Sequence, residues 1–385
     1  MELGKVAREQ QIAVFGESGS GSGKTVLLSS FYGGAQEPEF QKTSLFDVVA
    51  DDTSDGNRLH QNYLGMKKTA SLPMSNQLKS TSYSFSIKRR KVPGAKTKNA
   101  KQVEDLRLVW HDYPGQWFEQ DPNGPVEAAR RVETFRSLLT SDVAFLLVDA
   151  QRLLDNSDEE ERYLKALFTN FKHGLLKLRG ELLAGGKPLV TFPRVWVVAL
   201  SKSDLLPDFD VSGFRDLIVE KAAGELSELR TVISGFVLAP DALSVGEDFV
   251  LLSSAKFEPG KIEVTKRIGL DLILPIAAML PLSRAIGWIL AMKKGGEVAE
   301  HLLSTVTPLV LLITTKVKLP GPLKIVVAII GPSLADFAKK LTNDKIDVFN
   351  RNAKDKHDYV SIMLTNFGLD LERGEKDQVL LRSLK

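Results

Sequence analysis

The sequence predicts an α/β fold, a mostly parallel sheet with helices on both faces, followed by an apolar helical extension. Three observations carry that prediction. From residue 8 to about residue 260, short apolar runs alternate with amphipathic stretches of helical period. Several runs, 143–148 and 195–200 among them, are continuous Val, Leu, Phe, Ala and Trp, as parallel strands buried on both faces require. Beyond residue 260 the chain turns strongly apolar and is punctuated by Pro275, Pro281, Pro308, Pro320, Pro322 and Pro332.

Taken in order, strands are expected at residues 11–15, 82–87, 106–110, 143–148, 195–200 and 249–252. Helices are expected at 24–32, 126–139, 159–183 and 212–232. Two polar stretches interrupt the pattern. Residues 33–80 are too long for a simple connection and read as a functional loop with some local structure. Residues 88–101 hold Lys88, Arg89, Arg90, Lys91, Lys96, Lys98 and Lys101 around Pro93-Gly94, a solvated hairpin tip joining two strands. The alternative for that tip is a basic surface for acidic lipid or a partner.

Two units are expected, 8–260 and 261–385. In the second, 268–292, 302–313 and 323–330 are apolar. Asp271 and Arg284 interrupt the first, and the other two fall short of the roughly 20 residues a bilayer crossing needs. Packed helices, in a small helical domain or against the sheet, are the expectation. A peripheral membrane contact through 268–330 is the alternative.

Composition closes off other chemistry. The absence of cysteine among the 385 residues excludes disulfides, thiol catalysis and zinc–thiolate sites. His60, His111, His173, His301 and His357 are scattered without metal-ligand spacing. A net charge of +3 is too near neutral to argue for nucleic acid, and none is expected as a partner. The first ten residues lack the apolar core of a signal peptide, so a cytoplasmic location is expected.

The motif that carries chemistry spans residues 16–25, Gly-Glu-Ser-Gly-Ser-Gly-Ser-Gly-Lys-Thr, between an apolar strand and the helical Val26-Leu27-Leu28. A strand, a glycine-rich turn and Lys-Thr opening a helix form the context of a phosphate-binding loop. Backbone N–H groups of Gly19, Gly21, Ser22, Gly23, Lys24, Thr25 and Val26 would surround phosphates at the helix N-terminus. Lys24 would neutralise the outer phosphate oxygens, and Thr25 would ligate Mg2+. The spacing is unusual, because six residues separate Gly16 from Gly23 where the usual pattern has four. Either the loop is expanded by a Gly-Ser pair, or Ser18 takes the turn position. A plain Gly/Ser linker would need neither the strand nor the terminal Lys-Thr.

Three further motifs follow in order. Asp112-Tyr113-Pro114-Gly115-Gln116 ends the strand at 106–110; Asp112 can hold Mg2+ through water, the Gly115 N–H can sense a terminal phosphate, and Gln116 can orient water. Ser201-Lys202-Ser203-Asp204 ends the strand at 195–200 and matches a guanine-recognition element with Ser in its first position. Asp204 would accept from guanine N1 and N2, a donor pair adenine lacks, and the Lys202 stem would lie over the base. Ser254-Ala255-Lys256 follows the last strand and would offer a backbone N–H to guanine O6.

Four motifs in this order, over residues 8–260, resemble the P-loop GTPases of the translation-factor-related (TRAFAC) class. The form is most similar to bacterial double-GTPase-type and Ras-like proteins, and departs from them in the expanded phosphate loop and in Ser201. The resemblance implies a P-loop NTPase G domain with a long first switch at 33–80, and a Mg2+-dependent switch cycling between GTP and GDP and read by a protein effector. Lys24 and Gln116 would then be catalytic, with Thr25, Asp112 and a first-switch threonine on the metal. Thr69 is the first choice for that threonine and Thr81 the second. Arg130 and Arg131, which follow the second switch, read as the solvated face of a helix, with an arginine finger in cis as the alternative. The alternatives are a P-loop ATPase or nucleotide kinase, or a non-hydrolysing scaffold that docks a membrane or partner through its C-terminal region.

Overall fold

The computed structural model describes residues 9–17, 23–73, 81–90, 106–112, 117, 121–291, 298 and 354–383. In chain order these form β1 (Glu9–Phe15), α1 (Lys24–Ala35), α2 (Pro38–Thr43), β2 (Phe46–Ala50), α3 (Thr53–Thr69), β3 (Thr81–Arg89), β4 (Leu106–Asp112) and α4 (Pro125–Leu139). There follow β5 (Val143–Asp149), α5 (Ala150–Asp155), α6 (Glu160–Leu182), β6 (Val195–Ser201), α7 (Val211–Ser234) and β7 (Ser244–Leu252). The last are β8 (Lys256–Glu258), β9 (Lys261–Glu263), α8 (Ile273–Ala291), α9 (Lys354–Lys376) and β10 (Leu380–Leu381).

The described strands make one eight-stranded sheet in the order β10-β7-β6-β5-β1-β4-β3-β2, and β8 and β9 pair as a small separate hairpin. Pairings from β4 through β1, β5 and β6 to β7 are parallel. β3 and β2 are antiparallel at one edge and β10 at the other. Every residue of β5 and of β6 is buried, which is why both lack polar alternation.

Period-2 alternation divides the core between the two faces. Ile12, Val14, Phe145, Leu147, Val197 and Ala199 join α1, α3, α8 and α9 on one side. Ala13, Phe15, Leu146, Val148, Trp196 and Val198 join α4, α5, α6 and α7 on the other.

Three expectations are corrected or resolved. Residues 33–80 are not chiefly a loop: α2, β2 and α3 occupy 38–69, β2 widens the sheet, and α3 lies along α1. The approach is so close that a Cβ on Gly33 would fall 2.1 Å from Cγ of Tyr63. The sequence concealed this because α3 carries Gly, Asn, Asp and Lys, and buries only Gly56, Leu59, Tyr63 and Met66. Second, β3 and β4 pair antiparallel, with Ile87 opposite Leu106, so the basic stretch does join neighbouring strands; its residues 91–101 lie outside the described ones. Third, α8 packs against the sheet, with Ile276, Ala277 and Met279 wholly buried, and α9 packs on α8. Residues 302–313 and 323–330 lie outside the described residues. Among the described residues, no helix is long and apolar enough to cross a membrane.

A buried ion pair pins the C-terminal strand. Asp248 of β7 has no solvent exposure and accepts from Arg284 of α8 at 3.0 Å and from the backbone N–H of Ser383 at 2.9 Å. Burial pushes its carboxyl above the usual range against the pull of Arg284. Removing one member of such a pair strands the other without compensation. Arg284→Ala should therefore cost about 3–5 kcal/mol of folding stability, read as a lower urea midpoint.

Candidate functional site

The order of the strands places the site. β1 lies between β4 and β5, both parallel to it; the chain leaving β1 enters α1 on one face of the sheet and the chain leaving β4 enters α4 on the other, so the two connections diverge at the carboxyl ends of β1 and β4. In an open α/β sheet, that switch point is where a ligand crevice forms. The chain leaves β1 there and enters α1 through Gly23, whose φ of 79° is the left-handed conformation that glycine tolerates. The start of α1 has no side-chain cap and no acidic residue in its first turn. By contrast α3 is capped by Asp52, α5 by Asp149 and α7 by Asp210. The N–H groups and positive dipole end of α1 are thus left uncompensated by its own side chains.

Lys24 is buried, and its ammonium donates to the Gly16 carbonyl at 3.0 Å. The next residue reaches across the sheet. Thr25 Oγ1 donates to Asp112 Oδ2 at 3.3 Å, joining positions 87 apart in sequence. Asp112 is buried at the end of β4, and its neighbour His111 is held between the Ser82 hydroxyl at 2.8 Å and Gln11 Oε1 at 3.2 Å. Burial lowers the His111 pKa below the usual value, so this imidazole is neutral at pH 7. A hydroxyl and a carboxylate side by side are hard oxygen donors of the kind Mg2+ takes while keeping several waters. Among the described residues, no cluster of three or more His, Cys, Asp or Glu could hold a metal without such outside ligands.

A second cluster lies at the ends of β5, β6 and β7. Lys202 adopts φ 54°, a left-handed conformation costly for a side-chain-bearing residue, and Ser203–Leu205 follows as a single tight turn. The Lys202 ammonium pairs with Asp149 Oδ2 at 2.7 Å. Asp149 is also the cap of α5, and its N–H donates to the Tyr163 hydroxyl at 3.0 Å. Ser201 instead points back into the sheet, donating to the Val148 carbonyl at 3.2 Å. Asp204 is held by the last motif: Ser253 Oγ lies 2.6 Å from Asp204 Oδ1, and the Phe257 N–H donates to Oδ2 at 3.2 Å. An ionised carboxylate accepts about four hydrogen bonds, so each oxygen retains room for another donor. Ser254 and Ala255 are buried and Lys256 is exposed, its ammonium paired with Glu258 at 2.8 Å.

The structure therefore brings Lys24, Thr25 and Asp112 together, and separately Lys202, Asp204 and the 253–257 loop. Val26 stands at the edge of a small apolar cluster with Tyr63, Met66, Ala255, Phe257 and Val264, which packs α1 and α3 against the β8–β9 hairpin. Gly19, Gly21, Ser22, Gly115 and Gln116 lie outside the described residues. Thr69 sits in the last turn of α3, its hydroxyl on the Gly65 carbonyl at 2.8 Å and the Ser71 hydroxyl at 2.9 Å. Thr81, in contrast, is the cross-strand partner of Asp112.

Three contributors escaped the sequence reading. Asp149 and Ser253 act through partners remote in sequence, and only their place at strand ends could have pointed to them. The third corrects an expectation: Arg130 is exposed, but Arg131 is buried. Arg131 donates to the carbonyls of Trp117 and Asp121 at 3.3 Å each, pairs with Glu127 and lies over the Trp117 ring. It clamps the chain that follows Gln116.

No protein-family model matches this chain, and no curated protein matches it.

Arg131→Met should free Trp117 and residues 121–127 while leaving the sheet intact. The expected signs are a stability loss of about 1–3 kcal/mol and faster amide exchange confined to those residues, followed by hydrogen–deuterium exchange.

Proposed function

We propose that this chain is a guanine-nucleotide-binding switch that hydrolyses GTP with Mg2+, built as a P-loop G domain. The observation that carries the reading is the Thr25–Asp112 contact at 3.3 Å beside the uncapped start of α1. A hydroxyl at a helix N-terminus and a carboxylate from the adjacent parallel strand are the protein's share of a nucleotide-bound Mg2+ site. Lys24 supports it as a buried cation one residue away. The α1 N–H groups and Lys24 would hold the β- and γ-phosphates, while Thr25 and Asp112 hold the metal directly or through water. A Mg2+ ion held by Thr25 and Asp112 would supply neutralisation of the charge that develops on phosphoryl transfer. Gln116 would orient the attacking water.

Guanine selectivity rests on Asp204. Its carboxylate is fixed by Ser253 and Phe257 before any ligand arrives, so recognition needs little reorganisation. Lys202, steadied by Asp149, would lie along the base. Thr81 suits the first-switch role better than Thr69, because its backbone already pairs with Asp112. A protein effector would read the difference between the GTP and GDP states through the chain around Gly115.

The test is nucleotide binding and hydrolysis with Mg2+, GTP against ATP. Lys24→Ala should abolish turnover, and Asp204→Asn should remove the preference for GTP. Equal or better use of ATP would instead establish the ATPase alternative, and binding of neither would leave the scaffold. Ser253→Ala is the finer probe: it should weaken GTP binding about tenfold, the worth of one charge-assisted hydrogen bond, and leave kcat at saturation unchanged. Asp149→Asn should raise KM for GTP in the same manner, measured by steady-state phosphate release.

A further inference from the structure

A cavity of about 300 Å3 is lined by Glu17, just after β1, and by Arg152, Asn156, Arg162, Tyr163, Ala166 and Asn170 on and beside α5 and α6. None of Lys24, Thr25, Asp112, Lys202 or Asp204 lines it, so it is distinct from the site above. Its size is that of a small-ligand pocket. Two arginines, one glutamate, two asparagines and a tyrosine share its wall.

The polar groups leave a defined role for an occupant. Glu17 accepts from Asn170 at 3.3 Å, which meets part of its carboxylate inside the wall. Asn156 donates to the Arg152 carbonyl at 2.7 Å, fixing the end of α5. Among the described residues Arg162 pairs with Glu159 at 2.7 Å, and both are largely solvent-exposed, a pairing of little worth that an incoming anion can outbid. Burial pushes the Tyr163 phenol up, so it remains a protonated donor. Planar guanidinium groups match carboxylate or phosphate oxygens, not a cation or an apolar group.

We propose that this cavity binds a small organic anion bearing carboxylate or phosphate groups, and that its occupancy is felt at the nucleotide loops. The route is explicit. Through Asn170, α6 holds Glu17, which follows Gly16, the acceptor of Lys24. Two turns earlier on the same helix, Tyr163 holds Asp149, the partner of Lys202. One ligand against α6 therefore touches the supports of both loops, and the coupling is reciprocal. The binding half stands without the guanine-nucleotide reading; the coupling half rests on it.

The experiment is calorimetric titration of citrate, and separately of inorganic phosphate, into the full chain. Saturable binding of one probe, weakened at least tenfold in Arg152→Gln and in Arg162→Gln but unchanged in Lys24→Ala, is the expected result. Which probe binds distinguishes a carboxylate from a phosphate ligand. Arg162, at the exposed rim, keeps the test decisive if Arg152→Gln fails to fold. Absence of binding, or binding that survives both arginine variants, would overturn the proposal. Loss of binding in Lys24→Ala would do the same, by placing the anion in the phosphate loop. The coupling is read as the dissociation rate of a fluorescent GDP analogue. Saturating probe should change it at least threefold in the wild type and leave it unchanged in Arg162→Gln, and an unchanged wild-type rate would refute coupling alone. A chain that binds no guanine nucleotide but still binds the probe would refute the nucleotide reading and keep the pocket.

Discussion

The parallel pairing of β1 with β4 is the constraint on which the rest of the molecule depends. It sets Ile12 opposite Trp110 and Ala13 opposite His111, so β4 ends level with the exit of β1. From that register alone, Asp112 falls beside the first turn of α1, where Thr25 reaches it. A shift of one residue would turn the strand's side chains to the opposite faces and carry Asp112 into the core on the wrong side. Trp110, Phe31 and Phe85 pack as a ring cluster behind this register, and His111, neutral and hydrogen-bonded on both nitrogens, ties β1 to β3 across β4. The apolar packing and the polar ties enforce one alignment.

The two ends of the site are built on different physical terms. At the helix start, the backbone N–H groups of α1 and the buried Lys24 ammonium supply positive charge beside the Asp112 carboxylate. At the far end every charged group already has a partner: Lys202 with Asp149, Asp204 with Ser253 and Phe257. In the reading proposed here, the first end would attract an anion, whereas the second would select by the geometry of groups already held by their partners. Between them the small cluster of Val26, Tyr63, Met66, Ala255 and Phe257 fastens α3 to both, so a segment that read as a loop is part of the frame.

The sheet was legible because burial on both faces leaves its mark in the residues themselves: β5 and β6 could be nothing other than interior strands. The main helices were legible for the same reason, through their apolar stripes. α3 was not, because it covers the edge of the sheet with few large side chains and relies on Gly33 and Gly56 for close approach. The motif residues Lys24, Thr25, Asp112, Lys202 and Asp204 could be named from spacing alone. What spacing cannot give is who stands behind them. Asp149 is an ordinary strand-ending aspartate in sequence, and Ser253 is a serine beside another serine. Arg131 looked like solvated helix because periodicity says which face a residue is on, not whether a loop folds over it.

β10 has a consequence for how the chain comes to be folded. It pairs with β7, and its flanking Ser383 N–H caps Asp248 across 135 positions of sequence. Contacts this distant close last, because the entropy of the intervening loop must be overcome first. During synthesis, β7 emerges and can join β6 long before its outer neighbour exists. In that interval it presents an unpaired strand edge and a carboxylate that still lacks the Ser383 N–H. A chain lacking residues 380–383 would leave the β7 edge unpaired and Asp248 without its Ser383 donor.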